Sequence, residues 1–592
     1  MKNQTNPSPA PPLKGEGSFP NISPFPFREG GRGVRSESDL VSIMKHITFL
    51  NFLLTGIFIA IPCFAEYQFL FVPKISVTEE YTDNLFLDNL NKQDDFITVI
   101  SPGIVARAWD RTSDITLDYQ PGYSIYQNFT ENNTLRHNAR LYGKMAFSRH
   151  TRMTFQNTFI ATEDPITKIA YPSADAEQTS AEDQDRTKPQ EPMTPQAERQ
   201  KIREETVRKN RKQYYTDTTD IAFTHQFGKA DLLTLKYSHN FLNNKDETIE
   251  DESTHKPSVN ITYWLFSNQL GLKAGAAYSK SEFSETAQNT AYNEESLTPS
   301  FGITYQVDKN LSIDTGLSYR KGTYSDPVLK NSTEESLDSD EESLNPTFGL
   351  TYRIPVYKLD LGMSVSYMEG SFSDATKDFD NWNGSIKLSR QFSSRLTGFV
   401  QYAHTMTKFS EGGNESYNIY DPSVGFTYLL GDKIPLTLSL GYFIRDMEFS
   451  QDEAALSLNG NIGKSWTFGR TTINFSGNSG YDQSYFGAKA LGFGLFYDIK
   501  SALKHSFSKD TTGDVFASYR KDKYLDLKNA RNDENREAGA GISWFFFQKW
   551  ASVRLGYTYR DVISTSSENS YTENRVSLIF SISDPRLLRI KN

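Results

Sequence analysis

Pro257-Ser-Val-Asn-Ile-Thr-Tyr263 returns three more times along this chain, as Pro299-Ser-Phe-Gly-Ile-Thr-Tyr305, Pro346-Thr-Phe-Gly-Leu-Thr-Tyr352 and Pro422-Ser-Val-Gly-Phe-Thr-Tyr428. In every copy the apolar residues hold alternate positions and the unit closes on a Tyr six residues after the Pro. That period belongs to a β-strand with one apolar and one polar face. Side chains facing lipid must be apolar, those facing a wet interior are free to be polar, and aromatics gather at the membrane boundary. The repeat therefore reads as the strand of an outer-membrane barrel.

A partner strand follows each copy after a short turn. Leu311, Ile313, Leu317 and Tyr319 alternate with Ser312, Asp314, Gly316 and Ser318; Leu361, Met363, Val365 and Tyr367 alternate with Asp360, Gly362, Ser364 and Ser366. Leu436, Leu438, Leu440 and Tyr442 alternate with Thr437, Ser439 and Gly441 in the same way. Beyond these strands recurs an aromatic-Ser-acidic tag, as in Phe283-Ser-Glu285 and Tyr324-Ser-Asp326, followed by a polar loop. Short turns such as Gln306–Asn310 and Gly469–Arg470 alternate with longer loops such as Asp326–Glu341. The chain is expected to be all-β: a large up-and-down antiparallel transmembrane β-barrel of about 24 strands (range 18–26), from near 71–81 to near 572–583, with turns in the periplasm and loops outside. Segments 453–468 and 470–485 are each expected to form one strand.

The phase of the alternation assigns faces. Tyr263, Tyr305, Tyr319, Tyr352, Tyr367, Tyr428 and Tyr442 form the expected aromatic girdle, while Met363, Leu438 and Val553 should face lipid. Asp118, Asp314, Asp360, Asn459, Asn461, Asn474, Asn478 and Arg554, with Ser364 and Ser439, should face the lumen. The Asn-rich faces offer neutral hydrogen-bonding groups, which suit hydrated glycans or general solutes better than strong anion selection; any water-filled barrel interior shares this character.

Composition agrees with a barrel wall. Of 592 residues 32 are Tyr and 41 Phe, yet mean hydropathy is low, because only alternate residues meet lipid and the loops are polar. The net charge of −10 lacks the clustered Lys and Arg that nucleic acid would require.

Met44-Lys-His46, the apolar run Ile47–Ile61 and Pro62-Cys-Phe-Ala65 have the three regions of a secretory signal, so residues 44–65 read as a signal peptide cleaved between Ala65 and Glu66. An uncleaved anchor and a lipid on Cys63 are the alternatives, but the run falls short of about 20 residues and Pro62 fits a lipoprotein site poorly. Cys63 is the sole cysteine, so the mature chain has no disulfide. Residues 1–43 are rich in Pro and Gly; they read as a disordered extension, or as untranslated sequence ahead of a start at Met44. Residues 66–592 are assigned to the barrel.

Residues 163–212 interrupt the alternation with an acidic half, then Pro189, Pro192 and Pro195, then a Glu/Arg/Lys-rich stretch. The up-down count puts this insert outside, where it would dangle as a charged loop or fold inward as a plug; its composition favours the loop. Asp584–Asn592 form a tail beyond the last strand, and Phe580 is the nearest stand-in for the terminal aromatic many outer-membrane barrels carry.

The opening of the mature chain, Pro73-Lys-Ile-Ser-Val-Thr-Glu-Glu-Tyr-Thr-Asp-Asn-Leu-Phe-Leu87, then Asp94-Asp-Phe-Ile-Thr-Val-Ile-Ser-Pro-Gly-Ile104 and Leu117-Asp-Tyr-Gln-Pro-Gly-Tyr123, resembles the putative β-barrel porin-2 family. Members of that family are outer-membrane barrels often associated with exopolysaccharide and exosortase systems. The resemblance implies a porin-like conduit, with polysaccharide as a candidate cargo, and brings no catalytic motif.

No His-x-x-x-His pair, Gly-x-Ser-x-Gly elbow or phosphate loop is present, and nothing points to a cofactor or metal. The expected function is an outer-membrane conduit for polysaccharide or another hydrophilic solute. A non-conducting structural or glycan-anchoring barrel and, more remotely, an outer-membrane enzyme are the alternatives. Expected partners are outer-membrane lipid and lipopolysaccharide, the barrel-assembly machinery and polysaccharide-export proteins, with no nucleic acid.

Overall fold

The computed structural model describes residues 67–164, 211–286, 290–325, 338–373, 375, 378–410, 415–431, 434–462, 465–484, 492–525, 531–565 and 569–583. The expected cleavage point at Ala65 and Glu66, the extension 1–43, the interior of the insert and the tail 584–592 lie outside the described residues. The chain divides into a unit Met1–Tyr67 and a unit Gln68–Asn592, and the second is the barrel.

Its strands are β1 (Gln68–Thr82), β2 (Asp95–Trp109), β3 (Ser113–Tyr126), β4 (Thr134–Ala146), β5 (Thr151–Thr162), β6 (Tyr214–Gln226), β7 (Leu232–Asn244) and β8 (Glu252–Leu265). There follow β9 (Leu270–Phe283), β10 (Tyr292–Gln306), β11 (Leu311–Ser325), β12 (Asp338–Ile354), β13 (Leu359–Phe372), β14 (Phe379–Gln391), β15 (Leu396–Phe409) and β16 (Tyr417–Leu430). The wall is completed by β17 (Ile434–Met447), β18 (Glu453–Ile462), β19 (Trp466–Phe468), β20 (Thr471–Ser484), β21 (Gly492–Ser506), β22 (Thr511–Tyr524), β23 (Arg531–Phe546), β24 (Ala551–Ser564) and β25 (Tyr571–Ile582). Apart from β18 and β19, which do not pair with each other, each strand pairs antiparallel with its neighbours in sequence, and β25 pairs back onto β1, from Ile75↔Ile582 to Thr82↔Arg575. Both β18 and β19 pair with β20. They are two pieces of one stave, so 25 segments make a closed ring of 24, and the segment expected as a single strand over 453–468 is broken in two.

Connections at one end are two to five residues long and at the other end five or more, up to the 51 residues between β5 and β6. The short turns close on themselves because an Asp or Ser opens many of them. Asp110 Oδ1 accepts from the backbone N–H of Thr112 and Ser113, and Asp308 Oδ1 from those of Asn310 and Leu311. Gly469 takes φ +59° in the two-residue turn before β20, a conformation that a residue without Cβ adopts at little cost.

Which face is interior follows from geometry. Only on the concave side of a closed wall can side chains of strands that are not neighbours meet. Tyr417 of β16 and Phe443 of β17 touch Phe493 of β21, and the Arg211 guanidinium donates to the Leu85 carbonyl, so these residues lie inside. Carried around the ring through the register, that assignment turns Met363, Leu438 and Val553 outward and Ser364, Ser439 and Arg554 inward. The outward face is an almost unbroken belt of exposed Leu, Val, Ile and Phe, Val424 at 55% exposure and Phe301 at 50% among them. A contiguous apolar area of that extent marks a surface built for a nonaqueous neighbour. No described helix is long and apolar enough to cross a membrane, a fact that does not bear on strands.

Candidate functional site: the lumen and its mouth

All seven girdle tyrosines point outward, in two tiers. Tyr263, Tyr305, Tyr352 and Tyr428 stand one or two residues from a short turn; Tyr319, Tyr367 and Tyr442 each stand eight residues beyond the first residue of their strand. Register sets Tyr305, Tyr352 and Tyr428 opposite Ile313, Leu361 and Leu436, so six residues separate the tiers, roughly 20 Å along a strand or about 15 Å along the axis of a barrel with the usual tilt. Phe580 also points outward, opposite Val77 and Val553.

The lumen candidates all lie on the inner face, and the charged ones have partners. Asp118 is 2.5 Å from Lys74 Nζ, Asp360 receives Arg353 Nε at 2.8 Å, and Arg554 makes two bonds to the Asp514 carboxylate at 2.6 and 2.8 Å. Asp314 accepts from the Thr304 hydroxyl, with Lys273 3.8 Å away. Asn459 pairs directly with Asn478, and Asn461 with Ser476, forming one amide-rich patch. Asn474 stands apart, opposite Ala502.

The lumen divides along its axis. In the half nearer the turns, inward side chains such as Arg140, Gln156, Lys236, Asn260 and Thr347 are exposed to the interior. In the half nearer the loops, inward positions are buried: Tyr126, Phe283, Tyr324, Phe379, Tyr417 and Tyr571 form a collar of inward aromatics, and polar residues such as Thr407, Asn381 and Glu573 are equally enclosed. Phe283 and Tyr324 are the first residues of the aromatic-Ser-acidic tags. The tag therefore carries an inward aromatic to the mouth.

Two features narrow the mouth. The first is the hairpin of β20 and β21. The pairing of β18 with β20 stops after Asn459↔Asn478; there the Leu458 N–H donates to the Ser479 hydroxyl, which donates back to the Leu458 carbonyl in place of the backbone ladder. The pairing of β20 with β21 runs on to Ser484↔Gly492. Alternation places Tyr481 and Phe493 on the face opposite Asn478, the outer face. Yet Tyr481 meets Phe443 at 5.1 Å between ring centroids, and Phe493 meets Tyr417 at 6.1 Å. The loop end of this hairpin has left the wall and packs its outer face against the inner face of β16 and β17. The Arg445 guanidinium is clasped between Tyr417 and Phe493, 4.5 and 4.1 Å from the ring centroids, and pairs with Glu453 at 3.2 Å. The expectation of an ordinary wall strand over 470–485 holds for its lower half only. Gly477 and Ser479, which interrupt the apolar outward face of β20, were the signal in the sequence.

The second feature is the segment joining β1 to β2. Leu85 packs with Ile97 and Tyr126 on the inner wall. The described ends of the insert meet it there: Arg136 binds the carboxylates of Glu163 and Asp164, and Arg211 reaches both Asp164 and the Leu85 carbonyl. Nearby, Arg560, Glu537, Glu573, Arg575 and Glu80 form a chain of ion pairs across β23, β24, β25 and β1, with Thr82 donating to Glu573. This network sits on the closing seam, where only eight residue pairs join β1 to β25.

Desolvation pushes the Asp164 carboxyl up, but Arg136, Arg211 and Arg575 outweigh it and hold the group below the usual carboxylate range. With 42% of the side chain exposed, the guanidinium partners rather than burial decide the direction. A carboxylate with a lowered folded value stabilises its contacts above the ordinary range and loses that contribution as pH falls through the folded value. Acidification below about pH 4 should therefore loosen the tie between Asp164 and Arg211, read as faster proteolysis at the ends of the insert. Protection that stays flat from pH 7 to pH 2 would contradict it.

The sequence of the barrel has relatives at both of its ends. The family model of putative beta-barrel porin 2 matches this chain. The matched segments are residues 68–187 and 467–582, which cover β1–β5 and β20–β25 and so meet across the seam. No curated protein matches. Among solved structures, the FrpB iron transporter of Neisseria meningitidis is similar at 11% identity, covering 87% of this chain and 82% of that one, with a TM-score of 0.47. A mutant of the ferric enterobactin receptor PfeA of Pseudomonas aeruginosa is similar at 11% identity, with coverages of 87% and 80% and a TM-score of 0.49. The siderophore receptor PirA of Acinetobacter baumannii is similar at 8% identity, with coverages of 86% and 80% and a TM-score of 0.48.

Proposed function

We propose that this protein is a porin-like conduit of the bacterial outer membrane through which a hydrophilic solute passes, above all an exported polysaccharide. The observation that carries the reading is the pairing of an apolar outward belt between two tyrosine tiers with a polar, open lumen in the turn-side half. A ring of 24 staves is wider than the 16–18-stranded barrels that leave an aqueous channel. The family match at both ends of the barrel supports a porin-like role. A second reading, a non-conducting barrel that anchors surface glycan, draws support from the buried inner face of the loop-side half and from the infolded hairpin.

One measurement separates the two. The folded, heat-modifiable full chain, reconstituted in planar bilayers, is expected to give discrete current steps. A folded barrel that stays silent at every voltage would overturn the conduit and leave the anchoring role.

A further inference from the structure

We propose that the inner wall formed by β4 to β8 carries a binding subsite for an acidic sugar, a pyranose bearing a carboxylate, within a polymer chain. The proposal rests on the conduit reading and narrows its cargo to an anionic polysaccharide.

Register places five inward side chains in one row across five adjacent strands: Tyr142 opposite Gln156, Gln156 opposite Asp220, Asp220 opposite Ser238, and Ser238 opposite Lys256. At about 4.8 Å between strands the row is about 19 Å long, longer than one sugar ring. The next row toward the turns reads Lys144, Thr154, Ala222, Lys236 and Ser258. A hollow of about 480 Å³ lies over these rows, lined by Tyr142, Gln156, Asp220, Lys236 and Lys256 among others. That volume falls within the range of small-ligand sites.

The chemistry of the rows is specific. Tyr142 is 45% exposed and offers a flat apolar ring beside polar groups, the surface that the carbon face of a pyranose needs. Gln156 both donates and accepts, and the Asp220 carboxylate accepts from sugar hydroxyls. Lys236 and Lys256, backed by Arg140 and Lys144, supply cations that make no ion pair among the described residues. Elsewhere in the open half several inner charges are matched, as in Lys74 with Asp118, Arg353 with Asp360 and Arg554 with Asp514, while Lys387 lies over the Phe399 ring. In its open half the stripe from β4 to β8 holds Arg140, Lys144, Arg152, Lys236 and Lys256 against Asp220, with Glu294 of β10 acting on Lys256 from the side, so a net positive field faces the lumen there. A ligand that satisfies both signs carries hydroxyl donors for Asp220 and a carboxylate for the lysines. The Asn-rich faces place neutral amides at Asn459 and Asn478, whereas the inner face of β4 to β8 carries charge.

Equilibrium binding to the folded full chain in detergent tests the site without requiring conduction. The probes are an oligogalacturonate and an uncharged malto-oligosaccharide of equal length. Oligogalacturonate is expected to bind at least tenfold tighter, and this preference should shrink as salt is raised. Lys236→Gln and Lys256→Gln should each weaken oligogalacturonate about tenfold while leaving the neutral probe unchanged. Tyr142→Ala should weaken both probes, and Tyr142→Phe should restore them. Equal affinity for the two probes, or loss of neither lysine mattering, overturns the subsite even if the barrel conducts. If the barrel is silent in bilayers but the acidic probe still binds with these dependences, the conduit falls and the subsite stands.

Discussion

Arg placed at Leu438 is expected to cost about 2–4 kcal/mol of barrel stability, whereas Arg placed one residue on, at Ser439, should leave the barrel folded and change its ion current. Leu438 points outward at 37% exposure, four residues from the start of β17 and four before Tyr442, so it lies between the two tyrosine tiers. Its cross-strand neighbours are Phe426 and Gly460. A guanidinium there has no water and no partner within the belt. Ser439 points inward between Gly425 and Asn459, where a long side chain can extend into the polar lumen. Urea unfolding of the two variants in lipid vesicles gives the comparison. Equal destabilisation would mean that the wall is out of phase with the assigned faces.

Arg445→Ala should free the β20–β21 hairpin from the inner wall and raise single-channel conductance. The guanidinium stacks on two rings at once and pairs with Glu453, and each such ring contact is worth about 0.5–2 kcal/mol when desolvated. Losing both would shift the balance between packed and released hairpin by roughly one to three powers of ten. Since the only cysteine, Cys63, precedes the barrel, a clean lock is available. Phe443→Cys with Tyr481→Cys puts two thiols in place of two rings in contact, where a short reducible bis-thiol cross-linker can join them. Cross-linked in the Arg445→Ala background, that pair should return conductance to the starting level, and reduction should raise it again. This reversal distinguishes release of the hairpin from a misfolded barrel. Conductance indifferent to Arg445→Ala and to the lock alike would show that the hairpin does not bear on the pore.

Much of this molecule is local, and local features are legible in the chain. Strands, their faces, both tyrosine tiers and the ring of 24 staves follow from a two-residue period, because in a pleated strand neighbouring side chains must point to opposite sides. The alternation Leu436, Leu438, Leu440, Tyr442 on one face and Thr437, Ser439, Gly441 on the other states its own orientation. The same property places Asn459, Asn461, Asp118 and Arg554 inside without any contact being known. What a strand's own sequence does not hold is its company across the lumen. The ion pairs that neutralise Asp118 and Arg554 involve Lys74 and Asp514, each about 40 residues away in sequence. The row from Tyr142 to Lys256 is drawn from five strands and straddles the 51-residue connection between β5 and β6. Nothing near any one of its residues marks it. The hairpin of β20 and β21 makes the same point from the opposite side: Tyr481 and Phe493 alternate as outward residues should, yet they end inside the ring. Period two determines which face of a strand a residue occupies; where that strand runs is decided by packing, here by the clasp of Tyr417 and Phe493 on Arg445, which forms only when β16, β17 and β21 have already been brought together by closure of the barrel.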